Sequence, residues 1–144
     1  MPFLKIWVHA VWATKGREKL IEKSVRKEMF NHIHENALEK DIMMDSVNGH
    51  LEHIHALFRL KSNQTVSKVM QLIKGESSFW VNRNLNLKQK LQWQEEYFAV
   101  SVSESQVEAV RNYINNQEEH HKKKTFMEEY DEFIEKYDFE VFKD

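Results

Sequence analysis

The order in which hydrophobic periodicity switches between two residues and about 3.6 residues constrains this chain more than any other feature. Residues 3–14 (FLKIWVHAVWAT) are rich in β-branched and aromatic types and read as a strand, closed by a Lys-Gly-Arg turn. Residues 22–39 take helical spacing, with Val25, Met29, Ile33 and either Asn36 or Ala37 along one face. Residues 41–47 read as a short strand, Asn48-Gly49 as a turn and residues 51–60 as a second strand, which together predict a hairpin. Val66, Val69, Met70, Ile73, Phe79 and Trp80 place a helix over 65–84, and residues 97–103 alternate as a strand. A last helix is expected to start at a capping box, Ser103 with Gln106, and to run to about His121. The order βαββαβ plus a third helix predicts an α+β fold. Its expected form is a ferredoxin-like antiparallel sheet with helices on one face, followed by a C-terminal helix and tail.

A chain of 144 residues supports one real core, and three glycines and one proline leave no linker. The reading is therefore one domain over 1–125 and a tail over 126–144. Absence of cysteine excludes disulfides, thiolate zinc sites and cysteine nucleophiles, and fits a reducing compartment. The apolar start is interrupted by Lys5 and His9, too short to span a bilayer, and lacks a leader pattern, so a soluble cytoplasmic protein is expected. The net charge of −2 conceals an asymmetry: residues 126–144 hold eight acids against Lys136 and Lys143, leaving the tail at −6 and the remainder at +4. Phe126, Tyr130, Phe133 and Tyr137 recur in this tail at roughly helical steps, which predicts packing on the body or a dimer partner.

Three local features could carry chemistry. In Leu51-Glu52-His53-Ile54-His55-Ala56-Leu57-Phe58, strand alternation sends His53 and His55 to one face and Ile54, Ala56 and Phe58 to the other. Two imidazoles on one face can share a metal ion, although a bare His-x-His pair is more often a pair of ordinary sheet histidines. Second, Tyr113 and Gln117 stand one helical turn apart, beside a core face of Val107, Val110 and Ile114. A phenol can act as nucleophile once its pKa, near ~10 when free, is overcome, and an amide oxygen can bind a hard cation. A packing tyrosine with an exposed glutamine is the plainer alternative. His120 and His121 could compete as ligands, but beside Lys122-Lys123-Lys124 they read mainly as charge complementing a helix C-terminus. Third, Gly75 lies inside a helix next to Lys74, Ser77 and Ser78, which suggests that a phosphate or the sheet approaches its backbone. Lys15, Arg17, Arg59, Lys61, Lys68, Lys74 and Arg83 are the candidate phosphate contacts.

Taken in order, these segments resemble the single-domain HUH tyrosine transposases of small bacterial insertion sequences, which move DNA as single strands. The resemblance runs from about Trp7 to Tyr137. It is carried by His9-Ala10-Val11-Trp12-Ala13-Thr14-Lys15, by His53-Ile54-His55, by the run from Val66 to Gly75 with Ser77-Ser78, and by Tyr113-Ile114-Asn115-Asn116-Gln117. It implies Mg²⁺ or Mn²⁺ held by His53, His55 and Gln117, with Tyr113 as the nucleophile that forms a 5′-phosphotyrosine and frees a 3′-hydroxyl. It also implies recognition of DNA hairpins and a homodimer whose active sites are completed in trans. Glu76 follows Lys74-Gly75 where family members often carry a basic residue, so DNA affinity is expected to be modest and salt-sensitive. Two other readings are a domesticated endonuclease acting on palindromic repeats and a noncatalytic ferredoxin-like module that binds nucleic acid or protein.

Overall fold

The computed structural model describes residues 1–137 and 139, with only the backbone at Phe133. Asp138, Glu140, Lys143 and Asp144, counted above in the acidic tail, lie outside the described residues. The predicted order holds. Strand β1 (Ile6–Ala13) leads through a short 3₁₀ turn to helix α1 (Lys23–Glu39), then β2 (Met43–Gly49) and β3 (His53–Leu60). Helix α2 (Val66–Asn84), β4 (Phe98–Val102) and helices α3 (Val107–Asn115), α4 (Gln117–His120) and α5 (Phe126–Tyr137) follow. The sheet order is β2-β3-β1-β4 with every pairing antiparallel, as a ferredoxin-like topology requires.

Alternation along β1 and β3 divides the molecule into two layers. Val8, Ala10, Trp12, Ile54, Ala56 and Phe58 point to α1 and α2 and join Met29, Phe30, Ile33, Val69, Met70, Ile73 and Val81 in the main core. Burial of each such large apolar side chain contributes about 1.5–3 kcal/mol, so this layer supplies most of the stability. On the opposite face Trp7 and Leu57 pack with Val107 and Ile114 of α3, and Val11 and Ala13 pack with Phe126 of α5. Helix α2 starts where Thr65 Oγ1 accepts from Lys68 N at 3.1 Å. Helix α1 ends as Asp41 takes φ 63°, a left-handed turn that an aspartate tolerates, and returns the chain to β2.

Two expectations are corrected. Asn48-Gly49 is not the hairpin turn: both residues stay in β2, opposite His55 and Ile54, and the chain reverses over residues 50–52. The Asn48 side chain donates instead to the Ile114 carbonyl of α3 at 2.9 Å. A Cβ at Gly49 would lie 2.2 Å from the His53 carbonyl oxygen, so glycine is needed there for close approach. The helix expected from Ser103 to His121 is interrupted. Residues Glu104–Gln106 form a 3₁₀ turn, Ser103 makes no side-chain cap, and α3 yields to α4 at Asn116 with φ −105° and ψ 27°. Adjacent asparagines at 115 and 116 are weak helix formers, and the Asn116 N–H is shared between the Asn112 and Tyr113 carbonyls. Among the described residues no helix is long and apolar enough to cross a membrane.

Candidate active site

The layer between the sheet and the C-terminal helices gathers buried polar groups. His53, His55 and Gln117 are each 0% exposed. His53 Nε2 lies 3.3 Å from Gln117 Oε1, although α3 and α4 are separate helices, because Gln117 Nε2 donates back to the Tyr113 carbonyl at 3.2 Å. The interruption at Asn116 therefore does not separate the pair that the helical spacing joined. The Tyr113 ring stands edge-on to His55, with centroids 5.5 Å apart. These contacts join the four residues within the described chain.

The outer nitrogens of the two histidines are occupied. His53 Nδ1 lies 2.9 Å from Glu52 Oε1, and His55 Nδ1 lies 2.9 Å from His9 Nε2. Glu52 accepts a hydrogen bond from His53 Nδ1–H, which leaves His53 Nε2 facing inward. His9 holds the His55 ring, stacked on it with centroids 5.2 Å apart. Burial, then the neighbouring His55, lowers the His9 pKa to about 3, and burial likewise brings His55 to about 4. Both rings are thus neutral at pH 7. Burial, then the negative charge of Glu129, raises the Tyr113 phenol above its ordinary value, so the hydroxyl is protonated in the resting chain.

Four residues join this cluster without having been singled out for it by sequence. Glu129 of α5, 2% exposed, places Oε1 2.7 Å from His55 Nε2 and Oε2 3.1 Å from His121 Nε2. His120 Nε2 lies 3.0 Å from Glu129 Oε2 and 3.4 Å from the Tyr113 hydroxyl. His121 is therefore not a solvated helix-end charge: its Nε2 is 3.1 Å from both His53 Nε2 and Gln117 Oε1. His9 shares a strand face with Trp7 and Val11, and that alternation was the available signal. Burial alone would push the Glu129 carboxyl up, but hydrogen bonds from His121 and His55 outweigh it and hold the group below the ordinary carboxylate range.

The candidate phosphate contacts do not form one patch. Arg17 lies over the Tyr130 ring, 4.7 Å from its centroid, and Arg59 over Trp7 at 5.4 Å, both on the histidine side of the sheet. Lys15 is exposed on the 3₁₀ turn, and Lys61 pairs with Asp41. Lys68 and Arg83 are exposed on α2. Lys74 spends its ammonium on the Gln94 and Glu95 carbonyls, at 2.6 and 2.9 Å, and so braces the segment before β4. A groove of about 600 Å³ beside it is lined by Gly75, Phe79, Arg83, Lys90 and Trp93. No atom would meet a Cβ at Gly75 within 4 Å, so the sheet is not what its missing side chain accommodates.

The profile of a family described as "Transposase IS200 like" matches residues 3–117. A candidate transposase from Deinococcus radiodurans, known from a crystal structure, superposes with a TM-score of 0.65 at 21% identity, covering 81% of this chain and 93% of that one. The REP-associated tyrosine transposase solved with a REP hairpin superposes with a TM-score of 0.59 at 16% identity, covering 84% of this chain and 72% of that one. No curated protein sequence matches.

Proposed function

The chain belongs to the IS200-like transposase family, and from that premise we propose that it cuts and rejoins single-stranded DNA at hairpin-marked ends, with Tyr113 as nucleophile beside a divalent ion held by His53, His55 and Gln117. The observation that carries this reading is the convergence of two imidazoles and an amide oxygen, all buried, next to the phenol. Imidazole and amide oxygen together suit Mn²⁺ and, through the oxygen, Mg²⁺. Such an ion, when bound, would supply Lewis-acid polarisation of the scissile phosphate.

The residues do the rest by position. Glu52 and His9 fix the ring orientation of His53 and His55. Gln117, held by its donated bond to the Tyr113 carbonyl, keeps its oxygen on His53. The Tyr113 oxygen forms a bond to phosphorus as the bond from phosphorus to the 3′-oxygen breaks. His120, 3.4 Å from the phenol, is placed to take its proton, and the departing 3′-oxygen takes one from solvent. The product is a 5′-phosphotyrosine whose energy a second 3′-hydroxyl can use for rejoining. Excision needs two cleavages, which a homodimer supplies with one nucleophile per chain.

The REP-associated relative was solved with a DNA hairpin, which supports a hairpin-bearing substrate here. Arg17 and Arg59 lie on the same side of the sheet as the site, whereas Lys68 and Arg83 are exposed on α2 in the opposite layer. The test is incubation with single-stranded hairpin oligonucleotides from the flanks of the gene and Mn²⁺. A denaturation-resistant protein–DNA adduct is expected from the wild type and none from Tyr113→Phe. Failure of the wild type on both true flanks overturns the proposal.

A further inference from the structure

We infer that Glu129 of α5 is a fourth, anionic ligand of the divalent ion, supplied from beyond the family-matched stretch of residues 3–117. This rests on the three-residue metal reading above and adds a ligand to it.

The first ground is spacing. Atoms bound to one ion at about 2.0–2.2 Å stand about 3.0–3.4 Å from one another in octahedral or tetrahedral arrangements. His53 Nε2 and Gln117 Oε1 are 3.3 Å apart, and Glu129 Oε1 stands 2.7 Å from His55 Nε2 and 4.0 Å from His53 Nε2. The two carboxylate distances fall on either side of that range, and ligand atoms of His53, His55 and Glu129 all lie within 4.8 Å of one another, so the carboxylate borders the volume that the two imidazoles face.

The second ground is what faces what. Glu52 occupies Nδ1 of His53, and the Lys124 carbonyl accepts from Nδ1 of His121 at 2.8 Å. Gln117 spends an N–H on the Tyr113 carbonyl. His53 Nε2 and Gln117 Oε1 thus face the same space as a carboxylate that is 2% exposed and that draws hydrogen bonds from His55 and His121. A divalent cation in that space would replace the protons that now link these groups, since the imidazole nitrogens, the amide oxygen and the carboxylate are all cation donors.

The third ground is how α5 is seated. Phe126 stacks on the His53 ring, with centroids 4.1 Å apart and planes within 8°, and is 7% exposed. Arg17 covers Tyr130. Phe126, Glu129 and Tyr130 share one helix face, at i, i+3 and i+4. The helix is thereby anchored on both sides of its carboxylate, which fixes Glu129 over the histidines. A negative ligand beside two imidazoles and an amide would tighten binding and make the ion a milder Lewis acid. Six-coordination would still leave two positions for water or phosphate oxygens.

Metal-free wild type, Glu129→Gln and His53→Ala, each as the full chain, are titrated with Mn²⁺ and followed by calorimetry and by the paramagnetic resonance signal of free Mn²⁺. Glu129→Gln is expected to bind at least about 10-fold more weakly, at one site, and His53→Ala to lose the site. If the wild type binds no Mn²⁺, or His53→Ala binds like the wild type, the underlying metal reading fails. If His53→Ala weakens binding while Glu129→Gln binds equally or more tightly, the carboxylate is only an ion-pair partner of the histidines and this inference alone fails. Thermal melting in chelator checks that the variants fold. Should glutamine at 129 prevent folding, Glu129→Asp, which withdraws the oxygens by one methylene, is judged by the same criterion.

Discussion

The two faces of the sheet are made from alternate residues of the same strands, yet they are built on opposite principles. Toward α1 and α2, β1 and β3 present Val8, Ala10, Trp12, Ile54, Ala56 and Phe58, each 4% exposed or less. Toward α3 and α5 they present His9, His53 and His55, which are 5% exposed or less. Burying the first set is favourable by itself, whereas burying the second costs free energy unless every polar atom finds a partner. The first layer can therefore hold the fold while the second carries a polar site that an isolated strand could not keep dry. Slipping β3 by one residue would exchange the layers, so the register against β1 protects stability and chemistry together.

The sharpest way to break this comparison is to truncate one side chain on each face of β3. Phe58→Ala should cost about 3–5 kcal/mol in urea unfolding while each folded molecule keeps its Mn²⁺-dependent adduct chemistry. His55→Ala should cost less stability and lose the adduct by about 100-fold or more. Adduct formation surviving in His55→Ala would mean that the polar layer is structural and the chemistry lies elsewhere.

What was legible in the sequence follows the same division. Alternation is a local rule, so it placed His53 and His55 on one face and Ile54, Ala56 and Phe58 on the other, and helical spacing paired Tyr113 with Gln117. The meeting of His121 and Glu129 with His53 depends on a chain reversal over residues 121–125 and on Phe126 docking against a strand more than 60 positions earlier. No local period encodes that. Asn48-Gly49 misled for a related reason. Its composition suits a turn, but the Asn48 amide is used on α3 and the Gly49 gap on the His53 carbonyl, both tertiary demands.

Two glycines sharpen the comparison with effects of opposite sign. Gly49→Ala, at the edge of the polar layer, would drive a methyl group into backbone 2.2 Å away and should cost about 1–3 kcal/mol or more. Gly75→Ala, on α2, meets nothing within 4 Å and should gain about 0.5–1 kcal/mol from the lost freedom of the unfolded chain. Urea midpoints measure both. Gly75→Ala also reports on the groove: unchanged affinity for a hairpin oligonucleotide would remove this position from the DNA-contacting surface.

The smallest effect concerns how the polar layer is tied to the sheet. Arg111 of α3 donates twice to Asp45 of β2, at 2.9 and 2.8 Å, which holds the helix that carries Tyr113 on the strand next to His53. The Arg111 bond, working against burial, lowers the Asp45 pKa below its ordinary 3.8. A carboxyl depressed in the folded state stabilises the fold at pH values above its unfolded pKa, and that contribution fades as pH falls from there through the folded value. The pair is partly exposed and screened, so Asp45→Asn should shift the urea midpoint only slightly at pH 7. The gap between Asp45→Asn and wild type should hold steady down to about pH 5 and close below pH 3.8. A gap that persisted unchanged at pH 2 would mean that α3 is held by its apolar contacts through Val107 and Ile114, with the ion pair adding nothing.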